Sequence, residues 1–196
     1  ENITVQFTGW SFPSQHFMQD PTTGFDRLAI DPQYPVVGLL HADVGNNESR
    51  YGPADVASLA ALPVNAWILG HVHKPTIFLR DPLIFYPGSP HALSPKEQGP
   101  HGPVMLIVNE TGEINIKPLP LSPVRFESIK IDVTGAETEA QLRAGIASAI
   151  TEKSAQLNNE LDAVNYLVYD VTLTGTHPKR KEVEAWLAPL LETDIG

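Results

Sequence analysis

Hydrophobic positions change their spacing along the chain, and the changes mark out three sections. In residues 1–34 short apolar pieces are broken by Pro and Asp. Ile3, Val5 and Phe7 alternate as in a strand, and Asp20-Pro21 and Asp31-Pro32 mark turns. In residues 35–121 the run Pro35-Val36-Val37-Gly38-Leu39-Leu40 is almost wholly apolar, as a strand buried on both faces requires. Val56, Leu59 and Ala60 then recur at helical spacing within 55–62, Pro63 ends that helix, and Ala66-Trp67-Ile68-Leu69 is a second buried strand. Strand, helix, strand in this order predicts a βαβ unit with parallel neighbours and a sheet covered on both sides. Two hairpins follow. Thr76 to Leu79 and Leu83 to Tyr86 flank Arg80-Asp81-Pro82, and Val104 to Val108 and Ile114 to Leu119 flank Glu110-Thr111-Gly112-Glu113. Pro118, Pro120 and Pro123 read as a linker.

Beyond it the pattern changes. Ile129, Ile131 and Val133 alternate with Lys130 and Asp132, as a strand with one wet face does. Thr134-Gly135-Ala136-Glu137 resembles a capping box and predicts a helix start, continued by Leu142, Ile146 and Ile150 at four-residue steps. Leu167, Tyr169, Val171 and Leu173 predict another strand. Val183, Trp186, Leu187, Leu190 and Leu191 follow the rule of an amphipathic helix. The chain is therefore expected to be α/β, with one domain over residues 1–121 and a small β-α-β-α accessory domain over 122–196.

Composition narrows the chemistry. Hydrophobic residues are 42% and charged residues 18% of the 196, as in a folded globular chain rather than a disordered one. The formal net charge of −10 argues against a general basic nucleic-acid binder, but leaves room for a local cation-dependent phosphate site. With no Cys there are no disulfides, no thiolate nucleophile and no Cys-type zinc site, so any metal must be held by His and carboxylates. No apolar run approaches the ~20 residues of a membrane helix, and the first residues lack the basic and apolar regions of a signal peptide. A soluble cytoplasmic protein without a membrane partner is the expectation.

The candidate chemistry centres on Gly70-His71-Val72-His73, directly after a predicted buried strand. In extended backbone, residues two apart point to one face, so His71 and His73 can reach one small volume. Gly70 lets the backbone turn closely past it. His41 ends the other strand of the βαβ unit, and ligands of α/β sheets gather beyond the carboxyl ends of the strands. His41, His71 and His73 together point to a metal, since neutral imidazole is the commonest protein metal ligand. Asp43 is placed either to orient an imidazole or to form a solvated turn with Gly45-Asn46-Asn47. Tyr86-Pro87-Gly88-Ser89 places a rigid turn and a hydroxyl after the next strand, with Gly88 and Ser89 as candidate substrate contacts and an ordinary loop as the other reading. His91 and His101 lie in Pro- and Gly-rich loops and could touch phosphate or nothing, with no phosphate contact expected for His101. Trp67 and Trp186 are expected in the core, and Lys179-Arg180-Lys181 on a solvated helix start.

At these residues the chain resembles the calcineurin-like metallophosphoesterases, and among them the SbcD and YhaO-type DNA repair exonucleases. The matching pieces are Gly38-Leu39-Leu40-His41, Trp67-Ile68-Leu69-Gly70-His71-Val72-His73 and Ile84-Phe85-Tyr86-Pro87-Gly88-Ser89, followed by Gly99-Pro100-His101-Gly102. The resemblance covers residues 1–121. It implies the C-terminal half of a metallophosphoesterase β-sandwich flanked by helices, followed by a small β-α-β-α capping domain. It further implies a dinuclear site, usually with manganese, that hydrolyses phosphodiesters, with His41 and His71 on one metal and His73 on the other. DNA as substrate, an SMC-like coiled-coil ATPase as partner and a homodimer as assembly are also implied.

The family's Asp-x-His, Gly-Asp-x-x-Asp and Gly-Asn-His-Asp/Glu motifs are not found here, and with them go the bridging carboxylate and the His that protonates the leaving group. The chain is accordingly expected to be the C-terminal portion of a longer enzyme, to carry no catalytic residue of its own, to hold at most one metal weakly and to be inactive alone. The alternatives are a small-molecule phosphoesterase of the same superfamily, a non-catalytic scaffold or DNA-binding domain, and a stand-alone zinc site of three imidazoles.

Overall fold

A computed structural model describes residues 3–27, 30–177 and 179–191. The chain is mixed α/β and divides into two compact units. One comprises 1–93 and 100–122, the other 94–99 and 123–196. The segment 94–99, which the sequence places within the domain expected over 1–121, belongs to the second unit, where the Gly99 N–H donates to Phe126 O at 2.9 Å.

The first unit is built on a five-stranded sheet. Its strands are β1 (Gln6–Gly9), β2 (Val36–His41), β5 (Ala66–Gly70), β6 (Thr76–Arg80) and β7 (Leu83–Tyr86), in the order β1-β2-β5-β7-β6. Two short strands, β3 (Asp43–Val44) and β4 (Pro53–Ala54), pair beyond the end of β2. Strands β1, β2, β5 and β7 run parallel, and β6 returns antiparallel along the edge. Parallel strands need a crossover, and helix α1 (Val56–Ala60) lies within the one from β2 to β5. The Asp55 side chain caps it by accepting from the Ala57 N–H at 2.8 Å. The predicted strand over Ile3, Val5 and Phe7 begins only at Gln6. Its partner Val36 follows Pro35, which has no N–H to extend the ladder.

Alternation across the sheet sorts its side chains into two cores. On one face Val36, Leu40, Trp67, Leu69, Ile84 and Tyr86 are buried with Leu59 of α1 and Phe25. The Trp67 indole fills the space over Gly38, where a Cβ would lie 2.3 Å from the ring, and its Nε1–H donates to Leu59 O at 3.0 Å. On the other face Ala66, Leu83 and Phe85 are covered by Val104, Ile114 and Ile116. These belong to an antiparallel hairpin of β8 (Val104–Val108) and β9 (Ile114–Pro118). The expected cover on both faces is thus incomplete. Phe7 and Leu39, on the hairpin side, remain 60% and 45% exposed.

In the second unit β10 (Val124–Asp132) and β11 (Tyr166–Thr174) pair in parallel along nine residues, with helix α2 (Glu139–Leu157) as their crossover and α3 (Arg180–Leu191) after them. Val133, Leu142 and Val183 form its core with Ile146, Leu173, Trp186 and Leu187. Helix α2 does not begin at Thr134. The Asp132 carboxylate takes both the N–H and the hydroxyl of Thr134, at 2.9 and 2.6 Å, which closes a turn and holds that carboxyl below its usual range. Thr138 caps the helix instead, accepting from the Gln141 N–H at 3.3 Å. The side chains of Leu190 and Leu191 lie outside the described residues. No helix among the described residues is long and apolar enough to cross a membrane.

Candidate functional site

Because β2 and β5 are adjacent and parallel, with His41 registered against Gly70, both chains leave the sheet at the same rim. The lack of a side chain on Gly70 makes room for the neighbouring imidazole, since a Cβ there would lie 2.9 Å from His41 Nδ1. The next residue turns sharply. His71 holds φ at +106°, a left-handed value uncommon for a residue with a Cβ. The turn brings the two rings edge to face, with centroids 5.3 Å apart.

Asp43 reaches the same rim from β3. Its Oδ2 lies 3.7 Å from His71 Nε2, within ion-pair range but beyond a hydrogen bond, and accepts from Asn46 Nδ2 at 3.0 Å. Asp43 thus makes the turn contact with Asn46 and lies beside the His71 imidazole without a hydrogen bond to it. Tyr86 anchors this strand from below. Its buried hydroxyl donates to Ala42 O at 2.6 Å and accepts from the Val44 N–H at 2.8 Å. Burial pushes the phenol pKa up, against the Val44 bond and with the Asp43 charge, so the phenol stays protonated. The His41 imidazole is pushed below its ordinary value, first by partial burial and then by the neighbouring His71.

Two aromatic neighbours carry no signal in the hydrophobic pattern. The Tyr51 ring lies 5.2 Å from that of His71 at a 33° tilt, and His16 lies 5.6 Å from Tyr51. The bridge Phe17–Tyr51, with Phe17 N–H donating to Arg50 O at 2.8 Å, ties the irregular 14–19 segment to this rim. That long-range pairing brings His16 here, and nothing local in the sequence announces it.

His73 is exposed, and its backbone is linked to the loop that follows β7. The Ser89 N–H donates to His73 O at 2.9 Å. Gly88, at φ +82°, passes so close that a Cβ would lie 2.7 Å from that same oxygen. Ser89 itself is buried, with its hydroxyl 3.2 Å from His101 Nδ1. His101 is buried at this contact. His91 is exposed. Lys179 and Arg180 lie on an exposed helix start, where they pair with Glu182 and Glu184.

Two imidazoles on one tetrahedral ion, with metal–nitrogen bonds of ~2.0 Å, would place their centroids roughly 5 Å apart, a spacing that an edge-to-face ring contact such as that of His41 and His71 also has. Among the described residues no group of three or more His, Asp or Glu is disposed to hold a metal ion. Comparison with models of known protein families finds none that matches the chain, and a search of curated proteins finds no relative.

Proposed function

We propose that this chain is part of a metal-dependent phosphodiesterase acting on DNA, of the SbcD-like exonuclease kind. In this reading its first unit is the C-terminal half of the catalytic β-sandwich and its second unit the capping domain. The observation that carries the proposal is the meeting of His41 and His71 at the carboxyl ends of adjacent parallel strands, with centroids 5.3 Å apart and the Asp43 carboxylate beside His71. The depressed His41 pKa supports it, because a neutral imidazole is the form that binds a cation. His41, His71 and His73 are the ligands this chain contributes to a manganese pair, and of the two expected substrate contacts Ser89 is buried beneath the rim.

Two dications about 3.5–4 Å apart need a bridging negative charge, and imidazole brings none. The chain alone therefore binds no more than one ion, weakly, and hydrolyses no phosphodiester. Calorimetric titration with Mn2+ tests this. Nanomolar binding of two ions would overturn it. In the longer polypeptide that supplies the bridging carboxylate, single-stranded DNA is hydrolysed in preference to a chromogenic diester, and the opposite preference would indicate a small-molecule phosphoesterase.

A second reading is a non-catalytic scaffold that keeps the histidines of the fold. It predicts that Mn2+ leaves the His41 and His71 ring resonances unbroadened.

A further inference from the structure

His101 is a buried imidazole in a loop with no part in the rim chemistry above, only 4% exposed. Its Nδ1 lies 3.1 Å from the carbonyl oxygen of Ser89 and 3.2 Å from the Ser89 hydroxyl. A carbonyl only accepts, so Nδ1 carries the proton and spans both oxygens of one residue. The His101 main chain is held as well, its carbonyl accepting from the Ser122 N–H at 3.0 Å. Gly102 fits against Leu119 O so closely that no side chain could stand there, which leaves the loop little freedom to carry His101 elsewhere. Ser89 passes this restraint on. Its N–H donates to His73 O at 2.9 Å, and Gly88 packs against the same oxygen.

We propose that Ser89 and His101 form a positioning pair that fixes the backbone of His73, and with it the direction from which the His73 imidazole leaves the chain. The contact is too buried for a reacting group and too specific for filler. An apolar residue at 101 would remove this donor from both Ser89 oxygens, and the loss of a buried hydrogen bond favours movement of the turn. Ser89 is then a support beneath the rim. The functional meaning of the pair rests on the metal role proposed for His73, whereas the restraint itself does not.

Amide hydrogen exchange of the chain, followed by NMR at Ser89 and at core residues Leu69 and Ile84, tests the restraint. In His101→Leu the Ser89 amide is expected to exchange roughly tenfold faster, beyond any change at the two core amides. His101→Asn, whose Nδ2–H replaces the imidazole Nδ1–H, restores protection. Ser89→Ala keeps the carbonyl contact and gives a smaller acceleration at residue 89, and it carries the test if His101→Leu fails to fold. Unchanged exchange at residue 89, an acceleration shared equally with Leu69 and Ile84, or no rescue by Asn would overturn the pair. Mn2+ broadening of the His73 ring resonances, read in parallel, falls in His101→Leu relative to His41 and His71. If Mn2+ broadens none of the three histidines in the unsubstituted chain, the metal reading fails while the exchange result still judges the positioning pair.

Discussion

Gly70 and His41 share a space that admits only one side chain: a Cβ on Gly70 would stand 2.9 Å from His41 Nδ1. The neighbour that must yield is an imidazole at the sheet rim and not backbone, so it can swing aside. Gly70→Ala is expected to cost under about 1 kcal/mol, because no buried volume is overpacked. It should nonetheless shift the His41 ring resonances and abolish their response to Mn2+. Gly38→Ala is the contrast. There the Cβ meets the fully buried Trp67 ring at 2.3 Å, and thermal unfolding should show a loss of about 1–3 kcal/mol.

The depressed pKa of His41 gives stability a definite pH dependence. The folded chain holds this imidazole neutral to lower pH than the unfolded chain does. Between the ordinary value near 6.5 and the lower folded value the unfolded state binds more protons, so stability falls as pH drops through that window and is fully present above it. His71→Asn removes the second cause and should move the His41 titration back upward. Urea unfolding at pH 7.5 and pH 5.5, with a His41 NMR titration, checks both statements. A His41 pKa unmoved by His71→Asn would show that burial alone sets it.

Legibility from sequence followed locality. The runs at 36–40 and 66–69 and the hairpin turns are patterned within a few residues, and the sheet register that aligns His41 with Gly70 follows from the βαβ unit they form. Thr134 misleads because Asp132, two residues earlier, takes its hydroxyl for a turn and leaves the cap to Thr138. Tyr51, His16 and the burial of His101 depend on contacts between distant segments, which no local period encodes. His71 shows a third limit. Its side-chain chemistry is legible, but its left-handed backbone is imposed by the turn around it.

That backbone has its own measurable consequence. A residue with a Cβ at φ +106° costs on the order of 1–3 kcal/mol, and glycine does not pay it. His71→Ala removes the imidazole and keeps the strain, whereas His71→Gly removes both. The glycine variant should be more stable than the alanine variant by about 1 kcal/mol, despite the greater freedom of its unfolded chain. Denaturant unfolding of the pair decides it, and an alanine variant equal or superior in stability would mean that the turn relaxes once the ring is gone.

In the second unit the decisive group is a buried cation. Arg125 is 4% exposed on β10, donating from Nε to Glu127 at 2.7 Å and from Nη1 to Glu160 at 3.0 Å. Glu127 is itself buried and takes Lys153 of α2 at 3.3 Å, so one carboxylate faces two cations. Glu127→Ala strands Arg125 beside the exposed Glu160 alone and should cost about 3–5 kcal/mol. Arg125→Met removes the charge that needs burial, fills a similar volume and leaves Glu127 its Lys153 partner. Its loss should therefore be clearly smaller. If the two variants unfold at the same denaturant concentration, the penalty comes from lost packing and not from an uncompensated charge.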